Sequence, residues 1–204
     1  MADRLMLNLP DGKEIEVLCG TTVLDALREG GWVPEPSAMV ADVSGHIIEL
    51  NKPLYEGGNI ELLSFEQPRG REAYRHTASH VMAQAVRRLH PDVKLAIGPA
   101  IEDGFYYDFA LPENLSADDL PAIEGEMSRI ITEDLPIARK ELSRVEAIEL
   151  FKNRGEVYKV ELIEDLEDEA ITVYEQGEFV DLCRGPHLTS TGKIKAFRLL
   201  SIAS

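Results

Sequence analysis

The chain has 204 residues, enough for one large domain or two small ones with a real core. Its formal net charge of −16 by itself argues against a nucleic-acid binder, because phosphate binding needs positive surface. No apolar run reaches the length of a membrane span and no leader pattern opens the chain. Two cysteines, Cys19 and Cys183, make no disulfide framework, so a reducing cytoplasm is the expectation.

In chain order, Arg4–Leu9 and Lys13–Leu18 alternate around the Pro10-Asp11-Gly12 turn and predict a β-hairpin. Thr21-Thr22 caps a short helix that ends at Gly30-Gly31, with Val23, Leu24 and Leu27 facing in. Short strands follow at Ala38–Val43, His46–Leu50 and Asn59–Phe65. Hairpin, helix, then strands is the order of a ubiquitin-like β-grasp module. The expected organisation is a β-grasp domain over residues 1–65, a linker at 66–70 and a larger domain over 71–204.

The larger domain opens with a helix over 71–90 whose predicted buried stripe is Tyr74, Ala78, Val81, Met82, Ala85 and Leu89. His90-Pro91 ends it. Lys94–Gly98 and Gly104–Phe109 read as strands. Ser116 opens a helix to about Asp134, with Pro121 tolerated only in its first turn. Pro136–Leu142 is a strand, and Ser143-Arg144-Val145-Glu146 caps a helix stopped by Gly155. Val157–Ile163 and Ile171–Glu175 are predicted strands. Gln176-Gly177 then turns the chain into Phe179–Leu182, which delivers Cys183 at a strand end. Strands and helices without strict alternation predict an α+β class.

Charge is unevenly spread. Residues 102–134 carry ten acids and one base, whereas 69–94 carry Arg69, Arg71, Arg75, Arg87, Arg88 and Lys94 against two acids. Residues 184–204 carry Arg184, Lys193, Lys195 and Arg198 and no acid. Solvated acidic faces explain this as readily as a ligand does.

Two pairs of side chains able to move protons or bind metal stand out. His76 and His80 are four apart on the long helix, on one face. Cys183 and His187 share that spacing across Gly185-Pro186, so they sit on a turn. Three chemistries stay open: a tetrahedral zinc site, metal-free proton transfer on water attacking an ester, and a Cys183 nucleophile activated by His187. Chance alone can place two histidines at helical spacing, and a cysteine at a strand end is usually a small buried apolar residue. Lys159 is expected to point from its strand to solvent.

The ordered set His76-Thr77-Ala78-Ser79-His80, Ala96-Ile97-Gly98-Pro99 with Gly104-Phe105-Tyr106-Tyr107-Asp108, Asn153-Arg154-Gly155 before Tyr158-Lys159-Val160, and Asp181-Leu182-Cys183-Arg184-Gly185-Pro186-His187-Leu188 resembles the N-terminal region of bacterial-type threonyl-tRNA synthetases. Residues 1–65 resemble the β-grasp (TGS-like) module that precedes it. Alanyl-type editing domains share the paired HxxxH and CxxxH, but the Cys-Arg-Gly-Pro-His string favours the threonyl family.

The resemblance implies an α+β editing domain that hydrolyses the ester of seryl-tRNA(Thr) and excludes threonine by its extra methyl. It implies catalytic-site residues His76, His80, Lys159, Cys183 and His187. Lys159 and His76 would position or activate water, His80 would shuttle a proton or orient His76, and Cys183 and His187 would line the pocket by the ester. Tyr107 would form the wall against the methyl, and Asp181 and Arg184 would contact substrate. The implied partners are the charged tRNA 3′ end and the family's catalytic and anticodon-binding domains. ATP, magnesium and zinc are expected only in that catalytic domain, whose signatures are not in this sequence. The expectation is therefore a piece of the synthetase and not a free-standing editing factor. No metal is expected at the two pairs. The zinc alternative, an alanyl-type trans-editing hydrolase, would use His76, His80, Cys183 and His187; the other alternative is a non-catalytic tRNA-binding or regulatory module.

Overall fold

The computed structural model describes residues 3–203. Two compact units emerge. One holds the residues up to Tyr74 together with Gly185–Thr189, and the other holds Arg75–Arg184 and the residues from Ser190 on.

In the first unit, β1 (Arg4–Asn8) and β2 (Glu14–Leu18) form the expected antiparallel hairpin, with Leu7 opposite Ile15. Helix α1 (Val23–Glu29) is capped by the Thr22 hydroxyl, which accepts the Asp25 N–H at 3.1 Å. Strands β3 (Val40–Val43), β4 (His46–Glu49) and β5 (Gly58–Leu63) complete a five-stranded sheet in the order β2-β1-β5-β3-β4. Strands β1 and β5 run parallel and the other pairs antiparallel. Leu7, Val17, Ala41 and Ile60 of the sheet meet Val23, Ala26 and Leu27 of α1 in one apolar core. Helix α1 thus covers the sheet, with its apolar stripe turned inward.

Helix α2 runs from Pro68 to Leu89, so it starts within the stretch expected to be linker, and the division between the units falls inside it. Its burial is wider than a one-face stripe. Every residue from Thr77 to Val81 is buried, as are Ala83, Gln84 and Val86, whereas Leu89 is exposed. The polar members are satisfied internally. The Ser79 hydroxyl donates within reach of the Gly98 and His76 carbonyls, and Gln84 and Gln176 bond amide to amide at 2.6 Å.

The two strands expected over 94–98 and 104–109 are broken into shorter pieces. Strand β6 (Lys94–Leu95) pairs with β9 (Phe109–Ala110), and β7 (Ala100–Ile101) pairs with β8 (Gly104–Phe105). Between them Ala96 N–H bonds Asp108 O, and Asp108 N–H bonds Ile97 O. Alternation puts Tyr107 and Phe109 on the inner face, ring-stacked at 5.0 Å, and leaves Tyr106 exposed.

Helix α3 (Leu120–Glu133) carries Pro121 in its first turn and turns Ile123, Met127 and Ile130 into a core with Val81, Ala85 and Val86 of α2. Strand β10 (Ile137–Ser143) leads through a Ser143–Glu146 capping box into α4 (Arg144–Asn153).

The clearest departure from expectation comes next. Val157–Asp165 is not a strand but a helix, α5. The β-branched residues Val157, Val160 and Ile163 favour a strand locally, but packing overrides them. Gly155, at φ +67, reverses the chain after α4. Lys159, Val160 and Ile163 then fall on one helical face. Val160 and Ile163 pack with Ala147 and Phe151 of α4 and with Ile171 and Val173 of the sheet. That sheet is β10-β11-β12, antiparallel throughout, with β11 at Ala170–Gln176 and β12 at Phe179–Leu182. No helix among the described residues is long and apolar enough to cross a membrane.

Candidate active site

Four elements of the second unit converge. Helix α2 supplies His76 and His80, one helical turn apart, with their rings edge to face at 5.1 Å. The β8–β9 connection supplies Tyr107, α5 supplies Lys159, and β12 and its end supply Asp181 and Cys183.

Lys159 is 2% exposed, contrary to the expected solvent-facing strand residue. The helix explains this, because it turns position 159 to the same side as Val160 and Ile163. Three acceptors surround its ammonium: Ala96 O at 2.6 Å, Tyr107 Oη at 3.1 Å and Asp181 Oδ1 at 2.6 Å. The contact with Asp181 is a close ion pair and not a well-directed hydrogen bond. Asp181, also buried, accepts the Tyr107 hydroxyl on Oδ2 at 2.7 Å. A buried carboxylate thus has a cation on one oxygen and a neutral donor on the other.

Burial and the adjacent Asp181 push the Tyr107 hydroxyl well above its ordinary pKa. His80 Nε2 lies 3.6 Å from Asp181 Oδ2, longer than a hydrogen bond. Burial first, then the neighbouring His76 and Lys159, hold His80 well below its ordinary pKa, so it is neutral near pH 7.

Above this buried set, His76 and Cys183 are half-buried, with Nε2 and Sγ 3.3 Å apart. The ligand atoms of His76, His80 and Cys183 all lie within 4.8 Å of one another. Tetrahedral zinc with bonds of about 2.0–2.3 Å needs donors about 3.5 Å apart, so these three fit after a small closure.

His187 is fully buried in the Gly185–Thr189 segment, which belongs to the first unit. Arg184 is exposed and pairs with Asp168 at 3.0 Å.

The basic residues near the motifs are largely spoken for. Arg88 pairs with Glu126, Glu133 and Glu178, Arg87 with Glu156, Arg69 with Glu72, and Arg75 donates to the Ile101 and Glu102 carbonyls. Sequence reasoning had no access to these partners, which lie up to ninety positions away. It also missed Glu156 and the close approach at Gly98. A Cβ on Gly98 would overlap the Tyr107 ring. An acid directly after a helix-stopping glycine, ahead of an apolar run at helical spacing, was the available signal for Glu156.

The sequence that builds this site is similar to that of known proteins. Residues 171–204, from β11 through Cys183 onward, match the family model described as the threonyl and alanyl tRNA synthetase second additional domain. Over 200 residues, 98% of this chain, it is 49% identical to the threonine–tRNA ligase of Acetivibrio thermocellus, covering 32% of that protein. It is 46% identical over its full length to that of Symbiobacterium thermophilum, and 52% identical over 198 residues to that of Clostridium tetani, covering 31% of each. Over nearly its whole length the chain is similar to threonyl-tRNA synthetases, and it spans about a third of the length of the curated relatives it matches.

Proposed function

We propose that the chain is the editing part of a threonyl-tRNA synthetase, hydrolysing the ester of seryl-tRNA(Thr) and sparing threonyl-tRNA(Thr). The observation that carries this is the half-buried His76–Cys183 pair above a buried Lys159–Asp181–Tyr107 network.

The chemical need is clear. Serine lacks only threonine's methyl, and one such group in a binding pocket gives discrimination of only ~10–200-fold. A second site must destroy the smaller product. His76, the accessible histidine, takes the proton of the attacking water. The water oxygen bonds the ester carbon, the bond to the ribose oxygen breaks, and His76 returns the proton to that oxygen. Serine and uncharged tRNA leave.

Cys183 lines the ester beside His76, and neutral His80 orients the His76 ring against which it packs. Lys159, with its ammonium already surrounded, fixes the water's position through the network and is not itself the base. Tyr107 forms the wall against the methyl. Phe109 stacked on its ring, Asp181 on its hydroxyl and the bare backbone at Gly98 support that role, because rejecting one methyl demands a rigid surface. Asp181 serves substrate by holding Lys159 and Tyr107. Arg184 and His187 are assigned to substrate contact and the catalytic site on their motif.

In this reading residues 1–65 are the β-grasp module, supported by the sheet order and the single helix after the first hairpin. The linker of 66–70 and the editing domain of 71–204 complete it. The partners are the serine-bearing 3′ end of tRNA(Thr) and the synthetase's other domains, in the cytoplasm. The chain itself uses no cofactor.

A second reading is favoured by one observation, the mutual approach of His76, His80 and Cys183. It is a zinc-dependent hydrolase in which these residues, with His187 as the fourth ligand, hold the metal. Zinc would supply an activated water there.

The test is hydrolysis of seryl- against threonyl-tRNA(Thr), with and without a chelator. Seryl ester cleaved, threonyl ester spared and no chelator effect is the expected result. Loss of activity with chelator establishes the zinc reading instead. Bound but uncleaved seryl-tRNA overturns both.

A further inference from the structure

Glu156 is a buried carboxylate, 3% exposed, that the proposed reaction does not use. It stands at the start of α5, one turn before Lys159, and its carbonyl accepts the Lys159 and Val160 N–H groups at 3.1 and 3.2 Å. Its side chain reaches two other elements. One oxygen accepts from the Arg87 guanidinium of α2, and the other accepts the Leu95 N–H of β6 at 3.3 Å. Arg87 also donates to Val93 O at 3.3 Å, just before that strand.

The next residue of the same segment, Ala96, gives its carbonyl to Lys159 Nζ at 2.6 Å. The carboxylate at 156 and the ammonium at 159 therefore grip consecutive residues of one segment, the end of β6 and the residue that follows it. Arg87 lies seven positions after His80 and eleven after His76, on the same side of α2. The helix that carries the histidines thus also holds the foot of the helix that carries the lysine.

We propose that Arg87 and Glu156 form a positioning latch, setting where Lys159 stands relative to Tyr107 and Asp181. This rests on the editing reading for its functional consequence but not for its geometry. A buried ion pair placed only for stability is weakly motivated, because apolar replacements often do as well. A pair that locks the direction of a neighbouring polar group has a reason to persist.

The test separates position from stability. Lys159 reactivity is read by reductive methylation with formaldehyde and a borane, with mass spectrometry of the Lys159 peptide and no tRNA present. Glu156→Gln and Arg87→Gln are compared with Met127→Ala, a core truncation in the same unit, at temperatures chosen so that all are equally folded. The expected result is Lys159 methylation faster by about tenfold or more in both latch variants than in Met127→Ala, from local opening of the α5 foot. Arg87→Lys, which keeps the charge, restores part of the protection. In parallel, seryl-tRNA(Thr) hydrolysis falls in kcat with KM unchanged.

Lys159 no more reactive in the latch variants than in Met127→Ala overturns the latch. If methylation responds but the unaltered chain hydrolyses no seryl ester, the latch stands and the editing reading fails.

Discussion

The site has two layers that differ in kind. Below, Lys159, Asp181, Tyr107 and His80 are buried, and the polar groups of the first three meet one another or a backbone carbonyl. Above, His76 and Cys183 are half-buried and lie within hydrogen-bond reach of each other. Charges removed from water are expensive and persist only in fixed geometry, so the lower layer positions. Groups that reach solvent can meet substrate and exchange protons, so the upper layer is where the proposed reaction takes place. Substitutions in the lower layer should therefore register first in stability, and those in the upper layer in rate.

The lower layer gives the largest stability effects. Lys159→Met leaves Asp181 charged, buried and without its cation, at a cost of about 3–5 kcal/mol. Adding Asp181→Leu should restore much of that loss in a denaturant melt while leaving no hydrolysis. A double variant as unstable as the single one would mean that the layer is not held by this pair.

Gly98→Ala comes next. The new methyl overlaps the Tyr107 ring, and the strain should cost about 1–3 kcal/mol. Because the wall moves, the ratio of seryl to threonyl ester hydrolysis should change more than the seryl rate itself. An unchanged ratio would remove Tyr107 from discrimination.

The smallest effect is in pH. His80 is held below its ordinary value near 6.5, so the unfolded chain takes up this proton first as pH falls. Its contribution to stability is complete above about pH 6.5. It is lost below that by up to about 1.4 kcal/mol per pH unit until the folded His80 also protonates. His80→Gln should flatten that part of the stability–pH curve, and an unaltered slope would show that His80 is not the group responsible.

The two layers were unequally legible in the sequence. His76 with His80, and Cys183, stood out because each motif is local, and one turn of helix or one strand end fixes its geometry. The hairpin, α1 and the Ser143 cap were readable for the same reason. Lys159 was misplaced because Val157–Ile163 carries β-branched residues whose short run reads as strand. Only contacts with Phe151 and Ile171, which are remote in sequence or across a turn, make it a helix. The basic residues were ambiguous for the same reason. Arg87 and Arg88 stand in a base-rich stretch of the sequence, but their acids lie at positions 126 to 178. Long-range pairing leaves no periodic trace, and it builds most of the lower layer.

The measurement that decides the division between the layers is seryl-tRNA(Thr) hydrolysis by the unaltered chain beside His76→Ala, with thermal melts of both. The account requires a rate loss of roughly 10²–10⁴-fold, the usual share of a general base, with stability changed by no more than about 1 kcal/mol. Full activity in His76→Ala, or a rate loss that merely follows unfolding, would contradict it.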